Sequence, residues 1–211
     1  MKNIIAIQHT QSEQHVNHMI GSWGNWDLTE TGILQAHNIG KHLAAEIVDS
    51  EYVIYSSDLL RTKHTAEIIS SYFNVTPIYD SRIREFNLGE AVGRSKEWAK
   101  NNLYCPVWTD TIDWADNADS QVFCGAETRR DVWGRVSQFL DMLISHSCEN
   151  IIIVSHSGTL SILFALWLNM DIEVLDKCTI WGKSGGVSFL SEDNDGHHII
   201  SKLSDMSYVR E

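Results

Sequence analysis

Two histidines follow directly on apolar runs: NIIAIQ leads into His9, and NIIIVS leads into His156. A neutral imidazole offers a lone pair for nucleophilic attack, and a second imidazole can donate to an oxyanion. Arg61 carries a planar fork of donors that matches phosphate or carboxylate, and Glu85 can protonate a leaving oxygen. Gln8 and Ser12 stand on either side of His9, and His15 follows it by six positions. Together these residue types suit phosphoryl transfer through a phosphohistidine with no metal and no cofactor. Singly, each has a plainer use: a histidine at a strand end is often hydrogen-bonded structure, and an isolated arginine on a helix often sits in a surface ion pair. The histidine pairs His15/His18 and His197/His198 have no carboxylate or cysteine at a recognised ligand spacing, so a metal site is not expected there.

The elements that would position these groups follow from periodicity. Short apolar runs bounded by polar residues read as buried parallel strands, and ligands bind at the carboxyl ends of such strands. Residues 3–8, 52–55, 76–79 and 151–154 fit this pattern. Helical spacing of apolar residues marks 29–47, entered at Thr29, then 60–73, entered from Ser56, Ser57 and Asp58 as cap residues, 127–146 and 159–168. The stretch from 13 to 25 is polar. Residues 186–190 and 198–203 around Asp195-Gly196 read as a closing hairpin. Between 93 and 124 the periodicity dissolves apart from a helix near 96–101. Trp98, Trp108 and Trp114 there argue against disorder, so the stretch is expected to be a lid over the crevice. Strand and helix otherwise alternate as in βαβ units, giving an α/β fold with a mostly parallel sheet.

The 211 residues carry 16 basic and 28 acidic side chains, a net charge of −12. That length suits one domain, 1–211, with an inserted lid. The charge disfavours nucleic acid and anionic membranes as partners, while a small phosphorylated substrate needs only a few local donors. With no signal-like start and no membrane-length apolar stretch, a cytoplasmic protein is expected. Cys105, Cys124, Cys148 and Cys178 show no metal or redox spacing and read as reduced thiols. The sequence does not speak to oligomeric state.

Six segments, in order, resemble the histidine phosphatase superfamily, in particular its phosphoglycerate mutase-like branch. They are Gln8-His9-Thr10 after a strand; Leu28-Thr29-Glu30-Thr31-Gly32 with Gln35-Ala36; Ser56-Ser57 through Arg61 to Thr65-Ala66; Arg84-Glu85-Phe86 with Gly89 and Gly93; Gly125-Ala126-Glu127; and Val154-Ser155-His156-Ser157-Gly158. The resemblance implies a three-layer α/β/α fold. It also implies His9 as the phosphorylated nucleophile, Glu85 as the acid for the departing alkoxide, and Arg61 and His156 as ligands of the phosphoryl oxygens. Gln8, Ser12 and His15 would complete the phosphate site.

The chain departs from the pattern around the nucleophile. Gln8 stands where the family has arginine, and a lost charge-assisted hydrogen bond is worth about 1.5–3 kcal/mol. Thr10 replaces a glycine, its hydroxyl a candidate substitute contact. His15 replaces an asparagine, and protonated it would restore the missing charge. The leading expectation is a metal-independent phosphatase acting on a small phosphomonoester. Its competitors are an impaired relative that binds a phosphorylated ligand or partner protein, and, ranked lowest, a phosphoglycerate mutase.

Overall fold

The computed structural model describes residues 1–47, 51–104 and 117–210. Six strands form one sheet in the order β3-β2-β4-β1-β5-β6. They are β1 (Asn3–Gln8), β2 (Val53–Ser56), β3 (Ile78–Tyr79), β4 (Asn150–Ser155), β5 (Val187–Glu192) and β6 (His198–Asp205). The first four run parallel, whereas β5 lies antiparallel to β1 and β6 closes the hairpin. β1 and β4 are neighbours in register, Gln8 opposite Ser155. Their equal lengths therefore bring His9 and His156 to one end of the sheet.

Alternation along the strands divides the core. Ile5, Ile7, Ile152 and Val154 face helices α2 (Glu30–Glu46) and α3 (Leu60–Ser71), meeting Ile39, Leu43, Ala66 and Ile69. Ile4, Ala6, Ile151 and Ile153 face α5 (Arg129–Ser145) and α6 (Ser157–Trp167), meeting Val136, Phe139, Leu163 and Trp167. Both faces of β1 and β4 are covered, which is why these strands read as continuous apolar runs. The architecture is the expected three-layer α/β/α.

Three expectations change in detail. The polar stretch after β1 contains a one-turn helix, α1 (Glu13–Val16). The N-cap of α3 is Leu59, with no side-chain cap. Asp58 is held by Arg84 at 2.5 and 2.6 Å, and Ser57 Oγ accepts from Leu59 N and bonds His156. Helix α6 begins at Ser157, placing His156 at its N-cap.

Of the segment 93–124, residues 93–104, which include α4 (Lys96–Asn102), and 117–124 are described. Ala99, Val122 and Phe123 form a small separate core with Ile20, Leu88 and Ala91, and Trp98 stacks on Phe123 at 6.0 Å. Trp98 thus packs; Trp108, Trp114 and Cys105 lie outside the described residues. No helix among the described residues is long and apolar enough to cross a membrane.

Helix α2 grips the segment after His9. Its N-cap Thr29 donates from both N and Oγ1 to Gln11, and Gln35 Oε1 accepts from Gln11 N at 3.1 Å. Gly32 allows that approach, since a Cβ there would lie 1.9 Å from Gln11 O. Gly32→Ala is therefore expected to lower stability by about 1–3 kcal/mol through overpacking, read as a reduced urea midpoint. An unchanged midpoint would show that the segment yields freely.

Candidate active site

At the exit of β1 the His9 ring is held from both sides. Its Nδ1 lies 2.9 Å from Thr10 O, a group that only accepts, so Nδ1 carries the proton. Its Nε2 lies 3.1 Å from Arg61 Nε, a group that only donates. The imidazole is therefore the neutral tautomer with its lone pair on Nε2. Burial first, then the charge of Arg61 and the neighbouring His15, hold its pKa well below the usual histidine range.

Arg61 is delivered by the first turn of α3 and is 1% exposed. Besides His9 it donates from Nη1 to Gly24 O at 3.2 Å, and from Nη2 to Ser22 O at 2.7 Å and His156 Nδ1 at 3.1 Å. Burial lowers its pKa to about 10, which still leaves a cation at neutral pH. His156 is fully buried, and its Nε2 bonds Ser57 Oγ at 2.9 Å. Both its ring nitrogens are thus engaged, and burial, Arg61, His9 and Arg135 in that order keep it neutral. It supports Arg61 from behind. Direct contact with a phosphoryl oxygen requires one of its two bonds to open.

Glu85 lies on the segment between β3 and α4, pinned by Ser155 Oγ to Ile83 O, Thr159 Oγ1 to Arg84 O, and Trp23 Nε1 and Arg135 to Glu85 O. Its carboxyl faces the start of α6, accepting from Gly158 N and Thr159 N at 3.2 Å each, and from Phe86 N at 3.0 Å. Burial raises its pKa; the Phe86 amide, Arg61, the Gly158 amide and Arg135 pull the other way without cancelling the shift. Among carboxylic acids this one is biased toward keeping its proton.

A cavity of about 330 Å³ joins His9, Arg61 and Glu85, whereas His156, expected as a phosphate ligand, does not line it. Gln8, His9, His15, Arg61 and Glu85 line it, as the sequence suggested. Gln14, Ser157, Lys96, Lys183 and Trp181 line it as well, and sequence reasoning missed them as site residues. Gln8 Oε1 and Ser157 Oγ are buried without a protein hydrogen-bond partner. Ser157 stood within the Val154–Gly158 segment and Lys96 eleven positions after Glu85 at the start of a predicted helix, whereas Lys183 sits in a loop with no such signal.

Three expectations are corrected. Ser12 does not line the cavity: it is fully buried, and its N and Oγ meet His15 Nδ1 at 3.2 and 3.3 Å. It orients His15 rather than a phosphate. His15 does not supply a positive charge, because burial, Arg61 and Lys96 lower its pKa to about 4. With Nδ1 accepting from Ser12 N, its proton is on Nε2, and the ring stacks on His9 with centroids 5.4 Å apart. It is a neutral donor, like the asparagine side chain it replaces. The Thr10 hydroxyl turns to Thr65 Oγ1 at 3.4 Å, away from the cavity.

His198 stacks on Trp167 and bonds its carbonyl, while His197 bonds Asp193. Asp193, Asp195 and His197 do gather at the exposed hairpin turn, their ligand atoms within 4.8 Å of one another. That grouping shares no residue with the cavity lining.

The family model of the histidine phosphatase superfamily, branch 1, matches residues 4–203. Phosphoserine phosphatase 1 of Hydrogenobacter thermophilus is 28% identical over 173 residues, covering 82% of this chain and 79% of that protein. A 2,3-bisphosphoglycerate-dependent phosphoglycerate mutase of Methylobacterium sp. is 23% identical over 189 residues, covering 84% of this chain and 86% of the mutase. Among solved structures, YhfR of Bacillus stearothermophilus superposes with a TM-score of 0.80 at 24% identity over 100% of both chains. A mycobacterial glucosyl-3-phosphoglycerate phosphatase gives 0.80 at 19% identity, over 97% of this chain and 99% of its own. The structural likenesses show the shared fold.

The neutral histidines set a pH dependence of stability. Each of His9, His15 and His156 has a folded pKa below its unfolded value of about 6.5, so the unfolded chain takes the proton first. Their contribution is full above pH ~6.5 and is lost as pH falls below it, at up to about 1.4 kcal/mol per pH unit for each group. For His15 the window runs from ~6.5 down to about 4. His15→Asn is expected to flatten the urea-unfolding free energy between about pH 6.5 and 5 by one such increment. Equal slopes in the two proteins would show that His15 is protonated in the fold.

Proposed function

The chain belongs to branch 1 of the histidine phosphatase superfamily, and from that premise we propose that it is a metal-independent phosphatase hydrolysing a small phosphomonoester through a phosphohistidine on His9. The observation that carries this reading is the bonding of the His9 ring. Thr10 O fixes the proton on Nδ1 and leaves the Nε2 lone pair toward Arg61, where the phosphorus must arrive. The whole chain is read as one domain, with segment 93–124 as the lid.

The substrate phosphoryl group displaces Arg61 Nε from His9, and the guanidinium turns its donors to the phosphoryl oxygens. His9 Nε2 attacks phosphorus as the P–O ester bond breaks. The proton of Glu85 passes to the departing alkoxide, a transfer that its raised pKa favours. The carboxylate so formed then takes a proton from water, whose oxygen attacks phosphorus. The P–N bond breaks, free phosphate leaves and His9 recovers its lone pair. On this reading the His15 Nε2–H, the Gln8 amide and the orphaned Ser157 hydroxyl, all on the cavity lining, donate to the oxygens of the group in transit. His156 acts through Arg61 by holding the guanidinium.

The cavity volume suits a small leaving group. Lys96 on the α4 side favours one that carries its own negative charge. Phosphoserine and phosphoglycerate, the compounds in the relatives' names, both do.

The test is hydrolysis of an aryl phosphate and of phosphoserine with chelator present. Activity is expected to survive the chelator, to vanish in His9→Ala, and to fall about 10²–10⁴-fold in Glu85→Gln. Quenched reactions should yield an acid-labile, base-stable phosphoprotein that His9→Ala lacks. A folded protein with no activity above His9→Ala would favour the phosphorylated-ligand-binding alternative, and a requirement for a bisphosphate primer would favour a mutase.

A further inference from the structure

The site holds few charges for the group it would bind. A phosphomonoester carries about −1.5 to −2 at neutral pH. Arg61 is the cation bonded to the nucleophile, and its Nε, Nη1 and Nη2 are already committed to His9, Gly24 O, Ser22 O and His156. Gln8 beside the nucleophile is uncharged, and the imidazoles of His9, His15 and His156 are neutral. Although the whole chain has a net charge of −12, the cavity lining holds Arg61, Lys96 and Lys183 against the single acid Glu85.

We propose that Lys183 is the second phosphoryl-binding cation, its ammonium reaching the transferred group from the loop that crosses the nucleophile. This rests on the phosphatase reading above and concerns the same cavity.

The loop is sewn to the end of β1 immediately after Lys183. Gly185 N donates to Gln8 O and His9 O at 3.1 Å each, Gln8 N donates to Gly186 O at 3.1 Å, and Ser184 Oγ donates to His9 O at 2.9 Å. Lys183 N donates to Ser204 Oγ at 2.8 Å, tying the loop to β6. Gly182 lies so near Gln8 that an added Cβ would stand 3.6 Å from the orphaned Gln8 Oε1. Gly185 has a φ of +80°, a left-handed conformation that glycine adopts without strain. The loop thus holds its lysine beside the pair of residues at which the phosphoryl group is bound.

Lys183 forms no ion pair with a carboxylate among the described residues. Lys96 is the other unpaired lysine of the lining, but it stands on α4 by His15, with its backbone bonded to His18 O. Within this proposal Lys183, next to the residues bonded to Gln8 and His9, takes the phosphoryl group, and Lys96, held on α4, takes the leaving-group side. The positive charge lost from the β1 end through Gln8 is restored from the loop that leads into β5.

The test is calorimetric binding of inorganic phosphate at pH 7.5, with thermal unfolding as the check on folding. Lys183→Met is expected to weaken phosphate binding about 10- to 100-fold. Lys183→Arg, which keeps the charge, should stay within a few-fold of the original protein. Phosphate binding unchanged in Lys183→Met would overturn the proposal, as would Lys183→Arg binding as weakly as Lys183→Met, since the loss would then be structural. A Lys183→Met protein that keeps its phosphate affinity while KM for phosphoserine rises would also overturn it, placing Lys183 at the leaving group. Phosphate binding needs no turnover, so the isotherm judges Lys183 while hydrolysis by His9→Ala separately judges the phosphohistidine route.

Discussion

The guanidinium of Arg61, buried in the middle of the site, is the constraint on which the other groups depend. A charge removed from water is tolerated only where hydrogen bonds replace its hydration. Here the replacements come from three separate parts of the chain: the 22–24 segment, the end of β1 and the start of α6. Those partners are thereby ordered around one point. The same charge suppresses protonation of His9, His15 and His156 and partly offsets the desolvation of Glu85. One cation thus keeps the His9 ring unprotonated and, on the proposed reading, gathers the groups that would receive the phosphoryl oxygens.

A second constraint is the contrast between the imidazoles and the carboxyl. Burial is the leading cause of every shift in the site, yet it acts in opposite directions. It drives protons off the histidines and holds one on Glu85. A nucleophile needs the first and a general acid needs the second. In the proposed scheme the low-dielectric interior supplies both.

Much of this was legible from sequence. β1 and β4 are visible because covered strands must be apolar on both faces, and their polar exits mark the catalytic end of the sheet. The glycine and glutamine of the α2 segment are legible as a motif, and the structure explains them as a close approach and a clamp on Gln11. What escaped was whatever depended on packing. The neutrality of His15 is set by its surroundings, which no spacing encodes. Ser12 and Thr10 carry hydroxyls close to His9 in sequence, but backbone direction turns those toward His15 and Thr65. Lys183 is brought to the nucleophile by antiparallel pairing of β5 with β1, a contact across about 175 positions that local pattern does not reveal.

That pairing also bears on how the chain is made. β1 emerges first, but its two neighbours are β4 and β5, at Asn150–Ser155 and Val187–Glu192. At synthesis rates of about 5–20 residues per second, its open edges wait roughly 7 to 28 seconds for β4 and roughly 9 to 36 seconds for β5. Throughout that interval the NIIAIQ segment is a nascent strand with open hydrogen-bonding groups, the kind of surface that invites mispairing between chains on neighbouring ribosomes. A mature catalyst and a vulnerable newborn share the same six residues.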